Sequence, residues 1–64
     1  MEKLKLFKIQ VQLARQYLTG KDSCFKFSRD LSARHASNAE KTLDLNLDPS
    51  MCLEDRIKWM EAFN

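Results

Sequence analysis

The stretch LKLFKIQVQLARQYL, residues 4–18, decides how the 64-residue chain is read. Wound at about 100° per residue, its apolar side chains Leu4, Leu6, Phe7, Ile9, Val11, Leu13, Ala14, Tyr17 and Leu18 sweep an arc of roughly 220°. Lys5, Lys8, Gln12, Arg15 and Gln16 fill the narrow remainder. A surface helix needs an apolar stripe only a little over about 100° wide, so this one expects neighbours on two sides and takes the central place. The competing reading is a strand, because residues 3–6 and 8–13 each alternate. Leu4 and Leu6 sit at even positions, however, and Ile9, Val11 and Leu13 at odd ones. A strand would need a bulge at Phe7 to keep one face apolar, and it would need a partner run that the chain does not offer.

Outward from that helix, Thr19-Gly20 is its expected end, since Gly takes the left-handed position after a helix without steric cost. Asp22 or Ser23 then caps a second helix. Cys24, Phe27, Leu31, His35, Ala39 and Thr42, with Phe25, Ala36 and Leu43 alongside, follow helical spacing. An unbroken helix to Leu45 is the simpler reading; the alternative is a break at Ser37, where Ser37-Asn38-Ala39-Glu40 has the form of a capping box. Ser28, Ser32, Ala36 and Ala39 are small, so the first helix is able to approach closely there, with Phe25 and Phe27 at one end and Leu43 and Leu45 at the other adding bulk. Residues 43–48 alternate as an extended linker would, but a helix end running into a turn needs fewer assumptions. At Asp48-Pro49, Asp caps and Pro occupies the first helical position, where a missing N–H costs nothing. Leu53, Ile57, Met60 and Phe63 then form one apolar face, and Cys52 and Trp59 point about 100° or more away from its centre. The expected fold is all-α, a small three-helix bundle with helices at about 3–19, 23–45 and 49–63 in a single helical domain, 1–64. So small a core invites completion by homodimerisation.

The net charge of +2 hides an asymmetry. Residues 1–34 carry eight basic against three acidic side chains, +5, and residues 35–64 carry three against six, −3. A basic helical hairpin docking onto an acidic C-terminal helix accounts for this, and so does a basic half that faces nucleic acid. No run of about 18 apolar residues exists to span a bilayer, and Lys8, Gln10 and Gln12 interrupt any signal-peptide core. The chain reads as cytoplasmic, with Cys24 and Cys52 as thiols.

Catalytic constellations fail on spacing. Cys24 and His35 share a helical face but stand about 16 Å apart along one helix, beyond hydrogen-bond reach. One His and two Cys do not close a four-ligand zinc site, no Gly-rich phosphate loop is present, and the acids are scattered. The expectation is no enzyme and no cofactor.

Two functions from different classes remain. The first is a small regulatory or adaptor protein that docks onto another protein. Trp59 is its anchor, because Trp is enriched at interface hot spots, and Cys52, Met51 and Ala62 extend the second apolar surface. Its size alone suits an accessory product of a phage or mobile element. The second is a DNA-binding regulator in which Lys5, Lys8, Gln12, Arg15, Lys26 and Arg29 meet phosphates and base edges. Were residues 4–13 a strand, two chains would pair them into a ribbon, with Gly20-Lys21-Asp22-Ser23 as the turn between two helices. That arrangement is similar in outline to the ribbon-helix-helix repressors, although the residues after Leu43 have no place in it.

Overall fold

The computed structural model of the chain describes residues 2–19 and 27–63. It is an all-α three-helix bundle: α1 spans Glu2–Thr19, α2 Ser28–Thr42 and α3 Leu53–Glu61, with no strand among the described residues. Residues 4–13 are therefore helical, which removes the paired ribbon and the repressor-like topology built on it. The expected turn at Gly20-Lys21-Asp22-Ser23, and Cys24, Phe25 and Lys26, lie outside the described residues.

α1 and α2 form an antiparallel hairpin whose register is set by two polar links. The buried Ser32 hydroxyl donates to the Ala14 carbonyl at 2.7 Å, and His35 Nδ1 meets Gln10 Oε1 at 2.8 Å. The His35 ring also stacks on Tyr17, centroids 5.6 Å apart and planes 4° apart. Continuing this register brings Val11 level with Ala36 and Phe7 level with Ala39, so large side chains on α1 meet small ones on α2. Phe7, Val11 and Ala14 are buried from α1, and Ser28, Ser32, Ala36 and Ala39 from α2. The α2 face thus differs from the one centred on Phe27 and Leu31: Phe27 is 63% exposed. Close helix approach admits only small side chains along the contact line, and the bulky ones are displaced to its flank.

α2 starts at Ser28, after a turn at Phe27, instead of at 23; it runs unbroken past Ser37 and ends at Thr42 instead of Leu45. Asp44 adopts φ 53°. Its N–H bonds the Lys41 carbonyl at 3.3 Å, and the Leu45 N–H bonds the Glu40 carbonyl at 2.8 Å, the two links of a Schellman motif. A left-handed residue other than Gly carries strain between Cβ and backbone, so Asp44→Gly is expected to stabilise the chain by roughly 0.5–1 kcal/mol, read from the urea midpoint.

Both readings of residues 43–48 hold in part: α2 runs into a turn at Leu43-Asp44, and residues 45–48 then continue as a non-helical linker, with Leu43, Leu45 and Leu47 packed against the core and Asp44, Asn46 and Asp48 facing water. Asp48-Pro49 is a turn, not a helix start. The Met51 N–H returns to the Asp48 carbonyl at 3.0 Å, and Asp48 Oδ1 accepts from both the N–H and the hydroxyl of Ser50, at 2.9 and 2.8 Å. Proline's fixed φ suits the second position of a turn as well as the first of a helix, and the chain must reverse here to bring α3 back over the hairpin. α3 starts at Leu53 after an extended Cys52 (φ −70°, ψ 162°), with Glu54 and Asp55 in its positive first turn.

Leu53, Ile57 and Met60 bury the inner face of α3. Three Arg–Glu pairs tie it down: Arg15 to Glu61 at 2.5 Å, Arg29 to Glu54 at 3.1 Å, and the less exposed pair Arg56 and Glu40. Arg15, Arg29 and Glu40 all lie on one flank of the hairpin, so α3 fills that groove. The opposite charges of the two halves are in this way partly spent inside the chain.

The same links set an acid response. The Arg29 guanidinium beside Glu54 holds its carboxyl below the ordinary 4.5, and hydrogen bonds from Ser50 backbone and hydroxyl hold Asp48 below 3.8. Depressed folded values mean stability that is fully present above the unfolded values and is lost as pH falls through the folded ones. Urea midpoints are expected to decline from about pH 4.5 downward. The decline should be shallower in Glu54→Gln.

Candidate functional site

Between α1 and the C-terminal end of α3 lies a cleft of about 350 Å³. Phe7, Val11 and Met60 floor it and are buried; Lys8, Gln12, Arg15, Glu61 and Phe63 form an exposed rim. Local sequence explains the opening. α3 is only nine residues long and gives way after Glu61, so the outer flank of α1 loses its cover there. Phe63 closes the end by packing edge-on against Phe7, centroids 5.7 Å apart with planes at 64°. Trp59, one turn back on α3, stacks on the outer side of Phe63 at 5.7 Å and 26°. The result is an aromatic ladder from the core outward: Phe7 buried, Phe63 at the edge, Trp59 45% exposed.

Of the residues expected to form the docking surface, Trp59 is the one that meets the cleft's rim, through Phe63. Cys52 is an exposed free thiol at the opposite end of α3, Met51 is half-buried before it, and Ala62 is exposed just after the helix. Sequence spacing assigns the Phe63 ring to the core face and so misses it; the signal was an aromatic pair four residues apart, Trp59 on α3 and Phe63 just past its end.

The basic residues divide into two groups. Lys5, Lys8 and Gln12 are exposed on the outer flank of α1, and Lys8 and Gln12 enter the cleft rim. Arg15 and Arg29 are engaged by Glu61 and Glu54, at opposite ends of α3, so they do not continue one cationic stripe. Lys8 makes no ion pair among the described residues. No group of three or more His, Cys, Asp or Glu side chains that could hold a metal occurs among the described residues. No described helix is long and apolar enough to cross a membrane.

No family model, curated protein or solved structure matches the chain. The cleft's apolar floor, cationic rim at Lys8 and adjoining half-exposed indole suit an apolar anchor side chain followed by a carboxylate. Among the described residues that line it there is no pairing of nucleophile and base.

Proposed function

We propose that the chain is a non-enzymatic docking module, a small regulator or adaptor that binds another protein at the α1–α3 cleft. The observation that carries this is the Trp59–Phe63 stack, anchored on the core through Phe7 and left partly in water at the rim of an apolar floor. Large aromatic side chains held rigid before binding lose little conformational freedom when a partner covers them, which makes them effective anchors. A partner segment with an aromatic or leucine anchor and a nearby acid fits the floor and Lys8. An exposed free thiol at Cys52 is compatible with a reducing, cytoplasmic setting.

The test is selection from a displayed-peptide library on the immobilised chain, with bound peptides re-measured by Trp59 emission. Enriched peptides should share the anchor-plus-acid pattern and shift the emission. They should weaken by about tenfold or more with Phe63→Ala. The DNA-binding reading predicts a different outcome: salt-steep retention on duplex DNA that falls with Lys5→Glu and Lys8→Glu and ignores Phe63→Ala. That result, or the absence of any enriched peptide, would overturn the docking proposal.

A further inference from the structure

The flank of the hairpin turned away from α3 is a second uncovered apolar surface. Leu6 and Ile9 on α1 are 47% and 53% exposed and Leu31 on α2 is 37% exposed, with Leu13 and Tyr17 half-buried between them. All lie on the opposite side of the two helices from Arg15, Arg29 and Glu40, the residues that hold α3. We infer that this flank is the contact between two copies of the chain in a two-fold dimer, with the α1–α3 clefts left open on the outside.

Charge selects this occupant. Every ion pair among the described residues lies on the α3 side. The uncovered flank between Leu6 and Tyr17 of α1, and between Leu31 and Thr42 of α2, presents aliphatic, aromatic, amide, hydroxyl and imidazole groups, with Glu2, Lys3, Lys5 and Arg34 at its margins. A two-fold contact sets each surface against itself, so ionised groups at its centre would meet their like; an uncharged centre with a charged rim avoids that. A nucleic acid or an anionic membrane needs cations that this flank lacks. Size agrees as well. The twelve-residue spans of the two helices, side by side, give a face of about 18 by 20 Å in projection, each helix being roughly 10 Å across. Corrugation raises the accessible area of such a face towards the ~600 Å² per partner at which stable, specific interfaces begin. The breadth of the apolar arc on α1 has its physical account here: α2 covers its centre, α3 one edge, and a second molecule the other.

Sedimentation equilibrium of the full chain over about 1 µM to about 1 mM, the range expected for a modest interface, tests it. Wild type should show a concentration-dependent dimer. Ile9→Lys and Leu6→Lys should each weaken it at least tenfold with unchanged helical circular dichroism, and Trp59→Ala should leave it intact. Because Leu6 and Ile9 are about half exposed in the monomer, lysine is accommodated there. Ile9→Gln, which keeps helix-forming bulk, serves if either lysine variant loses helicity. A chain that stays monomeric throughout the range, which would leave the flank to a different protein, overturns the inference. So does a dimer indifferent to positions 6 and 9, or one abolished by Trp59→Ala. The peptide-binding test above reads the other side of the molecule, so either proposal can fail without the other.

Discussion

Phe7→Ala is expected to leave most of the chain unfolded in buffer at 25 °C. Phe7 is 1% exposed, and removal of a fully buried Phe costs about 3–5 kcal/mol through lost transfer energy and the cavity left behind. The edge-on contact with Phe63, centroids 5.7 Å apart, adds about 0.5–1.5 kcal/mol that also disappears. At about 0.05–0.15 kcal/mol per residue a chain of this length has roughly 3–10 kcal/mol in total, and a core this small tends to the lower end. Phe7 touches what no neighbour can replace, because it is the largest fully buried side chain among the described residues and part of the floor of the cleft. Urea titration followed by circular dichroism and by Trp59 emission checks this. Phe63→Ala is the contrast: at the edge and partly exposed, it should cost far less and keep the helices while removing the support under Trp59. If Phe7→Ala unfolds the chain no more readily than Phe63→Ala, the aromatic ladder is not rooted in the core, and the rigidity claimed for Trp59 goes with it.

What the sequence made legible follows from which forces act locally. The breadth of the apolar arc in residues 4–18 announced a helix with neighbours on two sides, and α1 has α2 and α3 there. The small residues Ser28, Ser32, Ala36 and Ala39 announced close approach, yet the bulk of Phe27 and Leu31 pulled the expected centre of the α2 face towards them. Size is a poor guide where two backbones come together, since the closest line of contact has room only for hydroxymethyl and methyl groups. Asp48-Pro49 misled for a different reason: the same dihedral preset and the same carboxylate serve a helix start and a turn, and only the need of Leu45 and Leu47 to reach the core decides between them. At the candidate site, the outward direction of Trp59 was visible from spacing alone. The seat of Phe63 on Phe7 and the capture of Arg15 by Glu61 were not, because they join opposite ends of the chain and no local pattern records them.

Ala36→Leu should be the most damaging of the small-to-large changes, and it bears on the same point. Ala36 and its neighbours Ser32 and Ala39 are fully enclosed, as is Ala14 across from them. The 2.7 Å bond from the Ser32 hydroxyl to the Ala14 carbonyl exists only because the two backbones approach closely, as small residues along a contact line allow. Leucine at 36 adds volume where none is free. The helices must then separate, and the Ser32–Ala14 and His35–Gln10 links stretch with them. Overpacking typically costs about 1–3 kcal/mol, and here the broken polar links add to it. Ala33→Leu, at the half-buried margin of the core on the same helix, should cost less than Ala36→Leu, because part of its surface still meets water. The decisive comparison is the double variant Ala36→Leu with Val11→Ala, since the register brings Val11 level with Ala36. If close packing is the cause, Val11→Ala, harmful by itself, should recover part of the loss, and the two effects will fail to add in the favourable direction. Strict additivity would mean that the two positions do not share a contact, and the antiparallel register drawn from Ser32 and His35 would have to be shifted.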